Sequence, residues 1–355
     1  MRTRRYIIFI LFIYITTACT KEYDRHLVAS KHVVVTSFPK HFNLDGHKLN
    51  LKLYGVEEVA IIDTFLLGFD IDGTDKFIKV YSTENYKYLG DIISQGRGPN
   101  ELLTVLTQNQ YYIDSAGCHL WITEETLFSK IYLLNITKSL TTGSTVFDTS
   151  FVLKHNPVAY KYYINDSIII GFDYNKEKQI TYVKYNMIQQ KIISERNIFD
   201  KDFFNKEHRN AFAFDISNIK PDSLNKIAGA SYSLNNIYVI DLELKNSLTI
   251  NVEQKNRSIY DIIKDGNDLY TYHDIVVTNN YIFALYIDKT SKDIFSKETN
   301  SGVEVHVFKW DGKPVCKILI DENIWGISID SNQNTLYGYT PFEDVYRYDL
   351  INILN

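Results

Sequence analysis

Residues 91–103 read Asp-Ile-Ile-Ser-Gln-Gly-Arg-Gly-Pro-Asn-Glu-Leu-Leu, and positions 96–99 alone take two of the chain's 16 glycines and one of its 6 prolines. A guanidinium between two glycines suits the chemistry of anions. Backbone N–H groups uncovered by side chains, joined by a rigid fork of donors, grip a carboxylate or phosphate. The competing reading is a tight junction: the glycines allow positive φ, while Pro99 fixes its own φ and keeps Gly98 extended. Arg97 then pairs with Glu101 or bonds exposed loop carbonyls. A phosphate cradle ordinarily opens a helix, and no helical pattern follows residue 103. We therefore read Gly96, Arg97, Gly98, Pro99 and Glu101 as a structural junction, with the anion loop as its rival.

Other chemistry is sparse. Asp70-Ile71-Asp72-Gly73-Thr74-Asp75 begins like a calcium loop but lacks the downstream Glu of an EF-hand, so it reads as an Asp-Gly hairpin. The 9 His include no pair at i, i+2 or i, i+4 and no HExxH, which gives a metal no ligand spacing. Neither a GxSxG nucleophile turn nor a P-loop occurs. The expectation is no cofactor, no metal and no catalytic residue.

The elements that carry these residues are strands. The chain has 355 residues, 45% hydrophobic and 14% aromatic, with 27 Tyr; such Tyr, Ile and Val usage favours sheet. Net charge is −5, and no long run of Lys or Arg follows residue 5, so no nucleic-acid partner is expected.

The first residues form an address. Arg2, Arg4 and Arg5 precede an apolar run, Tyr6–Ile15, and then Thr16-Thr17-Ala18-Cys19. Ten apolar residues fall short of the roughly twenty that span a bilayer. The Thr-Thr-Ala-Cys end resembles a bacterial lipobox, with Thr16 where Leu is usual. That resemblance implies a signal peptide over 1–18 and lipidation of Cys19. Lys21, Glu22 and Asp24 resemble the surface-export tag of gut Bacteroidetes lipoproteins, with Tyr23 between the acids. An outer-membrane anchor is expected, the tag resemblance implying the cell-surface face, with 19–46 as tether and N-terminal segment.

Beyond residue 56 one unit recurs: an apolar strand, a turn with Asp, Asn or Ser, then a second strand. Examples are VAIIDTFLLGFD (59–70), YYIDSAGCHLWIT (111–123), YYINDSIIIGFD (162–173) and IVVTNNYIFALYID (275–288). Turns at Asp63, Asp114, Asn165, Asp222, Asn279 and Ser331 are 51–57 residues apart, which is repeat behaviour. Most copies continue into two further strands, and four antiparallel strands per repeat make a propeller blade. The reading is all-β: a six-bladed β-propeller of four-stranded antiparallel blades over 47–355. After the strand at 344–350 only five residues remain, too few for a fourth strand. An N-terminal strand must close the ring; of 32–38 and 47–55, which belong to no blade, 47–55 is preferred.

The junction then joins blades one and two, and here a family resemblance enters. Gly-Arg-Gly-Pro-Asn-Glu-Leu resembles the G-x-GPGEF-like signature of six-bladed TolB-like propeller lipoproteins of Bacteroidetes, and also the Gly-Pro junction of NHL-repeat propellers. KPDSLNKIAGAS with NNIYVIDLE is similar to the blade motif of TolB, and VHVFKWDGKPVCKILI to a strand pair of the same lipoproteins. Asn100 stands for the usual Gly, Leu102 for Phe, and Ser223 for the Gly of TolB. The likeness covers roughly residues 47–350 and implies the fold without implying a reaction.

Within that fold Cys118 and Cys316 fall in opposite blades and should stay buried and unpaired. Aromatic residues crowd the inner strands and the loops feeding them. Each either packs between blades or lines a channel mouth, where flat rings suit sugars or extended peptides. Tyr160, Tyr162, Tyr272, His273 and Trp325 are the candidate ligand contacts. The insertion at 196–215, with Phe203, Phe204 and Phe212, is a candidate cap. Two functions follow. The first is a monomeric binding or scaffold module for a glycan, peptide or partner protein. The alternative is a polysaccharide hydrolase or lyase, which needs two carboxylates, or a His with a metal, at the mouth.

Overall fold

The computed structural model describes residues 28–70, 75–124, 130–153, 159–165, 167–174, 180–198, 216–221, 225–232, 234–253, 269–296 and 302–353. Three strands come first: β1 (Lys31–Val35), β2 (His41–Leu44) and β3 (His47–Lys48). Blade one is β4 (Glu58–Ile62), β5 (Phe65–Phe69), β6 (Lys76–Ser82) and β7 (Tyr88–Ser94). Blade two is β8 (Leu106–Asp114), β9 (Gly117–Glu124), β10 (Lys130–Asn135) and β11 (Phe147–Val152), with helix α1 (Ile136–Thr142) before β11. Blade three is β12 (Ala159–Asn165), β13 (Ile168–Tyr174), β14 (Ile180–Asn186) and β15 (Lys191–Asn197). Blade four is β16 (Ile216–Pro221), β17 (Lys226–Ser231), β18 (Asn236–Asp241) and β19 (Ser247–Val252). Blade five is β20 (Leu269–Val277), β21 (Tyr281–Thr290), a turn of helix α2 (Ser291–Ile294), β22 (Val303–Lys309) and β23 (Pro314–Ile320). Blade six is β24 (Gly326–Asp330), β25 (Thr335–Tyr339) and β26 (Val345–Asp349), completed by β3.

The first strands of the blades surround one axis: β16 meets β20, β20 meets β24, and β24 meets β4. Each repeat turn falls between the first two strands of its blade, with the one at Asp222 outside the described residues. The turns form because a short polar side chain can bond its own backbone two residues on. Asp114 Oδ1 accepts from Ala116 N–H at 2.7 Å, Asn165 Oδ1 from Ser167 N–H at 3.0 Å, and Asp330 Oδ1 from Asn332 N–H at 2.9 Å.

Burial explains the strand sequences. A middle strand is covered on both faces by neighbouring blades, so β9 and β18 are buried along nearly their whole length, whereas the outer β11 is mostly exposed. Apolar clusters fill the seams. Val303, Val305 and Ile327 pack between blades five and six, Ala230, Val239 and Tyr272 between four and five, and Val80, Ile92 and Leu120 between one and two. Cys118 and Cys316 are unpaired and buried, and burial pushes their thiols up to about 12 and about 11.

The N-terminal segment is more integrated than its sequence suggests. β3 pairs antiparallel with β26, Lys48 with Tyr346 and His47 with Arg347, and so closes the ring as expected. Residues 32–38, expected to belong to no blade, instead supply β1. It pairs in parallel with β19 from Lys31↔Leu248 to Val35↔Val252, making blade four five-stranded. β2 does the same on β23, from His41↔Lys317 to Leu44↔Ile320. An uncovered outer strand presents a row of unpaired N–H and C=O groups, and the N-terminal segment satisfies those of blades four, five and six in turn. Phe38, between β1 and β2, anchors it on His306 and Phe308, with ring centroids 4.7 and 5.5 Å away.

Candidate ligand site at the channel mouth

The innermost strands all run in one sense along the axis, and the end at which they begin is called upper here. At that end blades four, five and six bring together Tyr232, which follows β17, Tyr270 and His273 of β20, and Trp325, which precedes β24. His273 and Trp325 have ring centroids 3.6 Å apart, Tyr270 lies 5.6 Å from each of them, and Tyr232 lies 5.2 Å from His273. Phe295, just past α2, stands 5.2 Å from Trp325 and is 53% exposed. The other four are half-buried, so the cluster offers ring surface while its body is packed.

Local backbone irregularity positions His273. The β20–β21 register slips on both sides of Tyr272, and His273 has no partner across the ladder. Such a bulge re-aims a side chain. The Nδ1–H of His273 donates to the Trp325 carbonyl at 2.7 Å, which leaves Nε2 as an acceptor. Burial holds this imidazole down at about 4, the carbonyl contact opposing, so it is neutral at pH 7. Beside it, Asp274 accepts from the N–H groups of Ile275 at 2.7 Å and Ile327 at 2.8 Å, tying β20 to β24. Trp325 is fixed in turn, since its N–H donates to the Tyr339 carbonyl at 2.7 Å. The Tyr339 ring lies over Gly326, where a Cβ would fall 2.1 Å from it; only glycine fits there.

Of the five expected ligand contacts, the structure brings His273 and Trp325 together. Tyr162 and Tyr272, expected beside them, are wholly buried packing residues. The Tyr162 hydroxyl donates to Gln108 Oε1 at 3.1 Å, and that of Tyr272 lies 2.8 Å from His306 Nδ1. Tyr160 lies in β12 with its side chain outside the described residues. Cys19 and the insertion from residue 199 to 215 also lie outside them. Tyr232 and Phe295 were missed: each follows the end of an element, where nothing in the local pattern shows that the chain turns toward the axis.

The junction at 96–101 is built differently from its expectation. Gly96 N–H bonds the Leu102 carbonyl at 2.9 Å, and Leu102 N–H bonds the Ser94 carbonyl at 3.1 Å. Glu101 folds back so that its Oε2 accepts from Gly98 N–H at 2.8 Å. The expected Arg97–Glu101 pair is absent, while positive φ falls on Gly96 (158°), as a glycine there allows, and also on Asn100 (62°). A loop N–H needs an acceptor, whereas a solvated ion pair gains little, so the carboxylate takes the N–H. Among the described residues no group of His, Cys, Asp and Glu has the arrangement to hold a metal.

A closed ring of six blades, each built on four antiparallel strands, defines a six-bladed β-propeller. Residues 57–332 match the family described as TolB-like 6-blade propeller-like, and the chain belongs to that family. Among solved structures it is similar to a member of the DUF4221 family from Bacteroides vulgatus ATCC 8482, at 16% identity over 91% of this chain and 97% of that one, TM-score 0.54. It is also similar to a protein of Bacteroides fragilis NCTC 9343 described as a "putative exported protein", at 11% identity over 89% of this chain and 98% of that one, TM-score 0.52. At such identities the likeness is one of fold. No curated protein matches the chain.

Proposed function

We propose that the protein is an exported lipoprotein, anchored in the outer membrane through Cys19, whose propeller holds a glycan, a peptide or an extended segment of a partner protein at the upper mouth. The observation that carries the binding reading is the aromatic cluster of Tyr232, Tyr270, His273 and Trp325, half-buried and gathered from three blades. Flat rings beside a neutral imidazole acceptor suit a ligand with an apolar face and hydroxyl or amide donors. The anchor reading rests on Arg2, Arg4 and Arg5, the apolar run Tyr6–Ile15, and the small residues before Cys19. The description of the Bacteroides fragilis relative as exported supports export, the coarser part of that reading.

Glycan and peptide arrays probed with the full chain in detergent test the binding reading. Trp325→Ala should weaken any specific binding at least tenfold while leaving the melting temperature within a few degrees of the parent. Specific binding that survives both Trp325→Ala and Tyr270→Ala moves the ligand away from this mouth.

A further inference from the structure

Arg97 is the one polar member of the junction that the fold leaves unexplained. Glycine 96, glycine 98, Asn100 and Glu101 have the backbone roles described above, but Arg97 is exposed and makes no hydrogen bond or ion pair among the described residues. It borders a cavity of about 510 Å³ at the seam of blades one and two, lined also by Glu101, Glu124, Lys130, Tyr132 and Phe147.

The walls of this cavity are held rigidly. Glu124 is only 6% exposed; its Oε1 accepts from Leu103 N–H at 2.9 Å and its Oε2 from the Tyr132 hydroxyl at 3.2 Å. Lys130 Nζ stands 3.8 Å from that Oε2, a loose contact. The rings of Tyr132 and Phe147 lie 4.7 Å apart. Burial, then the neighbouring Glu124, pushes the Tyr132 phenol up to about 12, so it remains a donor to the carboxylate. One face therefore presents a free guanidinium and another two carboxylates with lone pairs to spare, and rings lie between them.

We propose that this cavity binds a carboxylated sugar, its acid group taken bidentately by Arg97 and its hydroxyls donating to Glu101 and Glu124. A guanidinium without an internal partner matches a planar carboxylate in charge and geometry. A phosphate dianion fits less well, because the two carboxylates of the same cavity repel the second charge. A plain apolar acid leaves those carboxylates without donors once water is displaced. A pyranose ring satisfies them and covers the aromatic wall. The site shares no residue with the aromatic mouth.

The test is calorimetry on the full chain with three probes: methyl galacturonide, which carries one carboxylate, the corresponding neutral methyl galactoside and inorganic phosphate. Saturable binding of methyl galacturonide, weakening as salt rises, is expected, with both other probes at least tenfold weaker. Arg97→Ala should abolish that binding and leave the melting temperature nearly unchanged, since the side chain makes no hydrogen bond or ion pair among the described residues. Arg97→Lys should retain only a fraction of it, having lost the fork. Trp325→Ala should leave it intact. Equal binding of phosphate or of the neutral sugar overturns the proposal, as does no binding at all. Loss with Trp325→Ala but not with Arg97→Ala also overturns it, and leaves the mouth as the carbohydrate site.

Discussion

The Tyr272 hydroxyl stands 2.8 Å from His306 Nδ1 in the seam between blades four and five, and both residues are wholly buried. On its other side the imidazole faces Glu304 Oε2 at 3.0 Å, and Lys317 Nζ holds Oε1 at 3.0 Å. Nε2–H donates to the carboxylate, so Nδ1 accepts the tyrosine proton. The set closes on itself: phenol, neutral imidazole, carboxylate and ammonium each find a partner inside the blade.

Removing the first partner isolates a buried acceptor. Tyr272→Phe should lower unfolding free energy by about 1–3 kcal/mol, because His306 Nδ1 then has no donor and no water. Ligand binding at the mouth should not change. Urea denaturation checks it; an unaltered midpoint means that water replaces the hydroxyl.

The same group and its relatives set the acid limit. Burial depresses His306, and it brings His273 from 6.5 to about 4. The unfolded chain protonates both below about pH 6.5 while the folded chain does not, so stability is full above that pH and falls on acidification. For His273 the loss between pH 6.5 and 4 amounts to at most about 3 kcal/mol. Glu304, which burial would raise, is held at about 2 by hydrogen bonds from His306 and Lys317, so its contribution is present above pH 4.5 and lost from there toward 2. Denaturation at pH 7.5, 5.5 and 4.5 should show the descent, and His273→Asn should flatten part of the first stage. A flat profile contradicts the neutral imidazoles.

At the junction, Glu101→Ala should cost about 1 kcal/mol by leaving Gly98 N–H without its acceptor. Arg97→Ala should cost nothing measurable, and the double variant should equal Glu101→Ala alone. A coupling above about 0.5 kcal/mol in the double-mutant cycle would mean that the two side chains pair in solution.

Removing residues 20–27 should hardly move the melting temperature. Removing 20–36 strips β1 and bares the edge of β19, and should lower it by several degrees with the ring still closed. Removing 20–55 also takes β2 and β3, and cooperative unfolding should disappear. A sharp transition in that last variant contradicts closure by β3.

Lipidation is checked in cells. Globomycin should cause the precursor to accumulate, and Cys19→Ala should release the protein from the membrane fraction. Retention of Cys19→Ala with an intact leader excludes the lipid anchor.

The sequence made the ring legible because each blade repeats a local device, an Asx-type turn between two apolar runs. It made β3 legible because the last repeat was one strand short. β1 and β2 were hidden: a parallel partner more than two hundred residues away leaves no turn and no spacing to read. The mouth was half legible for a related reason. Tyr272 and His273 are adjacent and equally polar in pattern, yet the bulge in β20 sends one into the seam and the other toward the axis. No residue type marks that bulge. Arg97 and Glu101 have the spacing of an ion pair, but Gly98 N–H is closer and unavoidable.

The N-terminal strands have a consequence for biosynthesis. A chain emerges amino end first, yet Lys31 awaits Leu248 and His47 awaits Arg347. Nearly the whole polypeptide must therefore be delivered before its opening segment can dock, which makes the wrapping the final event of assembly. Until then Val33, Val34 and Val35 present a naked strand to chaperones and proteases. A product cut short before β19 never acquires the surface that shelters them, and one cut short before β26 leaves β3 without its partner, so the latch doubles as a check that synthesis passed β26.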